Sequence, residues 1–316
     1  MESPVPHILP SILPSAVVPG WAMPRGGGNE ADAAFAAGCA LSLLDSVVRA
    51  QPVWAGCWRQ RLALRCAASA VRLLGWTDEE PALRDAVVLT APGDSAGPAG
   101  NVLLAYRRLA AKTGRIDTKT LQALCEQLSI GWDERLADLS AVLDDQLQLA
   151  RSAPFIAADL VSQIVSARPD AEVLAWWLAD WVLAARLGWE RPVPLLMAER
   201  YGPAFRTIGG RGRLRPGEDG FSRAVCLALV QATNEALRVA GETERRAAHL
   251  VKVAPKVRTK GAAAVIRQLL EDDAVAASAP GSNLSRWASR RLFERLESFG
   301  AIRELSGRPN FRVFGL

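Results

Sequence analysis

Apolar residues recur at spacings of three and four along most of this 316-residue chain, and this period constrains its fold more than any other feature. In WAGCWRQRLALRCAASAVRLLG, Trp58, Leu62 and Cys66 fall on one side of a helix. Alternating β-branched residues, which are typical of strands, are almost absent before the C-terminal end. The sequence therefore predicts an all-α body from Asn29, a good N-cap residue. Further helical patterns cover about 79–89, 99–112, 117–129, 132–150, 154–167, 170–188 and 221–250.

Proline and glycine are concentrated before this body. Residues 1–28 end in three consecutive glycines, and we predict that they form a flexible arm. This arm has no basic region at its start, and prolines interrupt its apolar residues, unlike a signal peptide or a membrane anchor. The five cysteines form no CxxC pair and suit buried thiols in a reducing compartment. We therefore expect a cytoplasmic protein without membrane association.

The pattern changes in LSRWASRRLFERLESFGAIRELSGRPNFRVFGL, which starts at Leu284. Ser285 is a suitable N-cap for a helix that ends at Gly300, and AIREL and NFRVF are short strands joined by SGRP. An amphipathic helix from Lys260 and one or two further turns in AVAASAPGSN precede them. Three helices and a hairpin make a winged helix-turn-helix. The predicted fold is mainly α, with a multi-helix body over 29–255 and this module over 256–316.

Positive charge is concentrated in the same C-terminal part. From Gly241 onward the chain has 14 Lys and Arg against 8 Asp and Glu, a surplus of six. Residues 1–240 have 24 against 25 and are nearly neutral. A basic terminal module favours an anionic partner, and for a winged helix this partner is double-stranded DNA.

The residues expected to contact DNA lie on the last helix and the hairpin. Early exposed residues of that helix enter the major groove, so we expect base contacts from Arg286, Arg290 and Ser289. Arg308, with Arg303 or Arg312, would contact phosphate beside the hairpin tip. Trp287 is assigned to packing, with contact to a sugar as the alternative. The full predicted DNA-binding set is Ser285, Arg286, Ser289, Arg290, Arg291, Arg303, Arg308 and Arg312.

A second interpretation is that the winged helix binds protein. Many such modules dock a partner or dimerise, and part of the arginine content alternates with Glu294 and Glu297, which allows salt bridges within the helix. In either case the helical body would form a homodimer or sense a ligand or partner. A protein-interaction adaptor therefore remains the alternative to a DNA-binding regulatory protein.

Catalytic and metal-binding patterns are not evident in the sequence. Its two histidines are His7, in the arm, and His249, in a basic helix without a nucleophile motif nearby. We expect no metal, no cofactor and no enzymatic activity, although a carboxylate-based site in the helical body stays open. Arg59 and Arg61 flank Gln60 beside Trp58, and we expect core packing by the tryptophan with both arginines at the surface.

A glycine–tryptophan pair follows three of the helical patterns. Gly75, Gly131 and Gly188 each precede a tryptophan at the end of a helix. A left-handed glycine followed by an apolar residue that folds back is a common helix C-cap. We interpret the three as independent caps, with a weak repeat of helical units as the alternative.

The C-terminal segment, with WAGCWRQRLALRCAASAVRLLG, DAVVLTAPGDSAGPAGNVLLAYRRLA and WLADWVLAARLGWERPVPLL, resembles an uncharacterised bacterial family, domain-of-unknown-function family 1403. This resemblance covers nearly the whole chain after the arm and implies no activity. The C-terminal segment is also similar to the winged helix that closes many Fic-type proteins. The Fic His-Pro-Phe signature is missing from this sequence, so the similarity implies no AMP transfer.

Overall fold

The computed structural model describes residues 18–23, 28–91, 93–207, 212–257, 259, 261–278, 284–308 and 311–316. Most of the predicted arm (1–17 and 24–27), with His7, Lys260 and part of the SGRP turn, lies outside them. The helices are α1 Glu30–Ala50, α2 Ala55–Leu73, α3 Glu80–Val88, α4 Gly97–Ala111, α5 Thr118–Gln127, α6 Glu134–Ala137, α7 Leu139–Gln148, α8 Ala153–Ala167, α9 Glu172–Leu187, α10 Phe221–Val253, α11 Ala262–Glu271 and α12 Arg286–Ser298. The strands are β1 Val275–Ala276, β2 Arg303–Glu304 and β3 Val313–Gly315.

The helical body is built around α9, which is buried on almost every side. This helix packs along α8, while α1 packs along the long α10, and α2 packs along α4. Buried indole N–H groups have partners in the neighbouring helices: Trp177 donates to the carbonyl of Ala105 and Trp58 to that of Ala236, each at 2.9 Å. Such partners let large tryptophans be buried without an unpaired donor. The prediction of a mainly α fold is confirmed.

Part of the predicted arm packs against this body. Residues Gly20–Ala22 form a short 3-10 helix, and the side chains of Val18 and Ala22 are buried. The N–H of Val18 donates to the side-chain oxygen of Asn234 on α10 at 3.1 Å. These contacts differ from the detached arm that the proline and glycine content predicted for this stretch.

Helix α1 is long and apolar enough to cross a membrane, judged by length and composition alone. Its residues from Ala33 to Val48 that face α10 are buried, and 44% of its most apolar window lies inside the fold. A core helix that packs on a neighbour has the same composition, so this feature is weak evidence for a membrane span.

Two of the three predicted glycine C-caps are present. Gly75 and Gly188 have φ of 84° and 66°, and the tryptophan after each donates back to the carbonyl five residues before it. The third cap differs, because Ser129 takes the left-handed conformation with φ of 58°, two residues before Gly131. The N–H of Ile130 then closes the cap on the carbonyl of Cys125. The shared glycine–tryptophan pair is therefore not one structural repeat.

The C-terminal segment holds a three-stranded antiparallel sheet in the order β1-β3-β2. In it Val275 lies opposite Phe314, and Arg303 lies opposite Gly315. The sequence predicted helical turns where β1 occurs and only two strands. Residues 279–283, the rest of that stretch, lie outside the described residues. Strand β1 forms because it pairs the open edge of β3, a contact across almost forty residues that a local pattern does not report.

A buried carboxylate joins this C-terminal segment to the helical body. Asp273, just after α11, lies between Arg61 of α2 and Arg84 of α3, at 3.2 and 2.7 Å. Arg61 also donates to the backbone oxygen of Leu316 and to the hydroxyl of Thr243. The expectation that Arg61 lies at the surface was wrong, because the C-terminal segment covers it.

A second buried carboxylate lies in α9. Asp180 accepts the N–H groups of Leu195 and Leu196, at 2.9 and 3.1 Å, and so ties the loop after α9 to that helix. Burial raises the pKa of Asp180 to about 7, although these two hydrogen bonds act in the opposite direction. The folded protein therefore holds a proton on Asp180 at pH values where the unfolded chain has lost it.

We expect Asp273→Ala to lower the free energy of unfolding by about 3 to 5 kcal/mol, because it leaves two largely buried guanidiniums uncompensated. The matched control is Asp144→Ala, which removes an exposed partner of Arg115 and should cost less than about 1 kcal/mol. Urea unfolding of both variants measures the difference. Equal costs would mean that Asp273 does not hold the two parts together.

Asp180 makes stability depend on pH. Between its ordinary value of 3.8 and about 7, only the unfolded chain releases this proton, so rising pH favours unfolding through this group. Asp180→Asn should remove a slope of up to about 1.4 kcal/mol per pH unit. The loss of one hydrogen bond should lower the stability of the variant by an amount independent of pH. Urea unfolding of both proteins from pH 4 to 8 tests this, and parallel curves would contradict it.

Candidate nucleic-acid interface

Four of the predicted DNA-binding arginines line one groove. This groove, of about 850 Å³, lies between α12 and the segment around β3. Its lining includes Arg286 and Arg290 from α12, and Arg308 and Arg312 from the hairpin. The chain thus brings together cations that are as many as 26 positions apart in the sequence.

Local packing of α12 explains why its arginines face the groove. Ser285 caps the helix by accepting the N–H of Ala288, and Leu292 and Leu296 bury the opposite side. Phe293 also packs inward and stacks on Phe314, with ring centroids 5.0 Å apart. This aromatic pair fixes the helix against β3 and forms the apolar floor of the groove.

Three of the four groove arginines have a carboxylate partner. Arg290 pairs with Glu294 within α12 at 2.8 Å, and Arg312 pairs with Glu297 at 3.0 Å. Arg308 reaches Asp85 on α3 of the body at 2.9 Å. Within the described ranges Arg286 has no ion pair. Four cations against three partnering carboxylates leave a local surplus of one positive charge.

The two predicted serines of α12 take different positions. Ser289 is fully buried, and its hydroxyl donates to the carbonyl of Ala277 at 2.6 Å, so it cannot reach a base edge. Ser289 lies three residues before Leu292 and so on the same side of the helix, and the segment after β1 covers it there. The hydroxyl oxygen of Ser285 accepts the N–H of Ala288 as the N-cap, and the residue is exposed, so its O–H can still donate to a phosphate.

The remaining predicted arginines lie away from the groove. Arg303 on β2 is beside the body, where burial and then the charges of Arg246 and Arg61 lower its pKa. Arg291 is exposed on α12, one residue past the groove-lining Arg290. The groove therefore unites Arg286, Arg290, Arg308 and Arg312 and leaves Arg303 on another face.

Two exposed aromatic side chains accompany the groove, one next to Arg286 in the sequence and one in the groove lining. Trp287 on α12 is 75% exposed, and Phe311, which lines the groove, is 68% exposed. The packing role predicted for Trp287 was wrong, because it lies off the buried stripe of the helix. Its offset from Leu292 and Leu296 was the signal in the sequence. Phe311 could not be assigned, because its exposure depends on the turn before β3.

His249 and the cysteines have structural positions. His249 Nε2 lies 2.9 Å from the carbonyl oxygen of Phe299, where α10 meets the end of α12. All five thiols are free, and Cys57, Cys66, Cys125 and Cys226 are buried. Among the residues that the structure describes, no three His, Cys, Asp or Glu side chains are placed to hold a metal ion.

Comparison with known families gives one match. A family model described as a protein of unknown function (DUF1403) matches residues 11–316. No curated protein matches the chain.

We expect Ser289→Ala to lower the free energy of unfolding by about 1 kcal/mol, because it removes the hydrogen bond to the carbonyl of the half-buried Ala277. Ser298→Ala removes an exposed hydroxyl from the same helix and should be nearly neutral. Urea unfolding compares the two. A neutral Ser289→Ala variant would show that this hydrogen bond does not support α12.

Proposed function

Since this chain belongs to the DUF1403 family, whose description names no activity, we propose a function from its own geometry: it binds double-stranded DNA through α12 and the hairpin. The observation that carries this proposal is the convergence of four arginines in one groove. Arginine pairs bidentately with phosphate and with guanine edges, so one residue type serves both positioning and reading. The helical body would then dimerise or sense a ligand.

The element order supports a winged-helix interpretation. A winged helix-turn-helix has three helices, with a strand after the first and two strands after the third. Elements α11, β1, α12, β2 and β3 have that order, and the described residues between β1 and α12 form no second helix. The similarity to the winged helix of Fic-type proteins belongs to the same interpretation. In this arrangement the first turns of α12, with Arg286 and Arg290, face the major groove.

Existing ion pairs do not prevent phosphate binding. The side chains of Arg290 and Arg308 are more than half exposed, and ion pairs at such exposure contribute no more than about 1 kcal/mol. A DNA phosphate can therefore replace Glu294 at little cost, whereas Asp85 is only 13% exposed and its pair with Arg308 costs more to break. Arg286 is available without any exchange, and Trp287 beside it can pack against a sugar.

The exposed aromatic residues favour a second candidate, a protein partner. Tryptophan, phenylalanine and arginine are enriched at protein interfaces, and the groove has a surplus of only one charge. Trp287→Ala/Phe311→Ala should then abolish binding of the partner. The same change should reduce DNA affinity much less than loss of the arginines, because phosphate contacts supply most of that affinity.

DNA binding across a salt series tests the proposal. With about four to five phosphate contacts, log affinity should fall against log salt with a slope of about −4. In Arg286→Ala/Arg290→Ala/Arg308→Ala the slope should shrink to about −1 to −2, and affinity at low salt should collapse. The experiment is fluorescence anisotropy with a labelled duplex, on variants shown by circular dichroism to be folded.

The matched control removes the same charge elsewhere. Arg108→Ala/Arg115→Ala/Arg151→Ala changes three exposed arginines of the body and should bind DNA like the wild type. An equal loss of DNA affinity in both triple variants would show that binding depends on the net charge of the protein and not on the groove. Absence of binding by the wild type at low salt would overturn the proposal and leave the protein partner as the candidate.

A further inference from the structure

Arg59 of α2 is a buried arginine that makes no ion pair with any described residue, although Glu190 lies near enough to attract it. Its side chain is only 6% exposed, and among the described residues its Nε has no hydrogen-bond partner and its guanidinium no ion pair. Burial, and then the charge of Arg191, lower the pKa of Arg59 to about 10, although the carboxylate of Glu190 acts in the opposite direction. The expectation that Arg59 lies at the surface was wrong. An uncompensated buried cation destabilises a fold, so its presence calls for an anion.

Arg59 borders a cleft of about 440 Å³ between the helical body and the C-terminal segment. The lining comes from the start of α2, the end of α4, Arg191 after α9, and one face of α11. Arg267 of α11 also borders it, so three guanidiniums surround one space. This volume is suitable for a small metabolite.

A second unpartnered polar group lines the same cleft. The side-chain oxygen of Gln60 is buried and has no hydrogen-bond partner in the described part of the chain. Such an acceptor is satisfied by a hydroxyl or amino group of a ligand. Glu271 and Asp272 border the cleft as well and favour the same kind of donor. The cleft therefore offers guanidiniums that can pair with an anionic group of a ligand. It also offers side-chain oxygens that can accept hydrogen bonds from hydroxyl or amino groups of the same ligand.

The backbone holds this arrangement in place. Gly56 lies so close to α11 that a Cβ atom there would be 2.7 Å from the carbonyl oxygen of Glu271. The helix that carries Arg59 and the helix that carries Arg267 are thus in backbone contact at the edge of the cleft. A ligand bound there touches both parts of the protein.

We propose that this cleft binds a small hydroxylated oxyanion, a carboxylate or a phosphate monoester, whose anionic group pairs with Arg59. Arg191 and Arg267 add charge from the sides, and a ligand hydroxyl donates to Gln60. The guanidinium fork matches both kinds of oxyanion. The site stands independently of DNA binding, because none of its residues lines the arginine groove of α12.

The test is thermal unfolding and calorimetric titration of the full chain with three probes: inorganic phosphate, glycerol 3-phosphate and L-lactate. Sodium chloride at equal ionic strength is the reference. At least one probe should raise Tm saturably, since a ligand that binds only the folded state stabilises it. A higher Tm with both phosphates would show that the cleft accepts a phosphate. A higher Tm with lactate alone would show that it accepts a carboxylate. No saturable shift with any probe would overturn the proposal.

Variants locate the binding. Arg59→Gln should weaken binding at least tenfold, whereas Arg115→Gln, an exposed arginine of the body, should bind like the wild type. Without ligand, Arg59→Gln should unfold at the same temperature as the wild type or higher, because it removes the uncompensated charge. A purely structural Arg59 would instead give a lower Tm and unchanged binding, which would contradict the proposal.

Two further variants keep the result unambiguous. Arg267→Gln changes an exposed side chain of the cleft, so it should fold even where Arg59→Gln does not, and it should also weaken binding. Arg286→Ala/Arg290→Ala/Arg308→Ala should retain oxyanion binding in full. Loss of binding in this groove variant, with Arg267→Gln unaffected, would assign the oxyanion to the DNA groove and overturn the cleft.

Discussion

The contact of Asp273 with Arg61 and Arg84 is the interaction on which the position of the C-terminal segment depends. One buried carboxylate joins α2 and α3 of the helical body to the residue that leads from α11 into β1. Because Arg61 also holds the backbone oxygen of Leu316, the same guanidinium sets the position of the sheet. The sheet in turn supports α12 through the stacked Phe293 and Phe314. The groove and the cleft therefore share one polar anchor.

Two surfaces of different chemistry result from this arrangement. The groove beside α12 is open, and three of its four arginines already have carboxylate partners, of which Glu294 is exposed and Asp85 is largely buried. The cleft at Arg59 is the opposite case, since this cation is buried and forms no ion pair with the residues that the structure describes. Exposed pairs exchange partners at little cost, whereas a buried cation discriminates strongly between an empty and a filled site. The first surface suits a long polyanion and the second a compact anion.

The sequence predicted the helices well, because each long helix buries one stripe and the 3.6-residue period reports that stripe directly. The four arginines of the groove are among the eight residues predicted from the sequence, but the sequence did not predict that Arg308 pairs with Asp85. It missed β1, the burial of Arg59 and Arg61, and the inward position of Ser289. Each of these depends on a contact with a segment that is distant in the sequence and that packs over a helix or pairs with a strand. The period of apolar residues within one helix contains no information about such a contact.

Helix α9 is held by apolar packing and the C-terminal segment in part by ion pairs, and this difference determines which part of the protein unfolds first. Helix α9 is enclosed by apolar side chains on nearly all sides, so its amide protons exchange with solvent only when the whole fold is lost. The C-terminal segment is fastened in part by ion pairs, and its outer helix α12 has one face in water. Amide exchange in α12 therefore reports partial detachment of that segment, while exchange in α9 reports global unfolding. Helices α9 and α12 therefore belong to parts of the protein that open with different free energies.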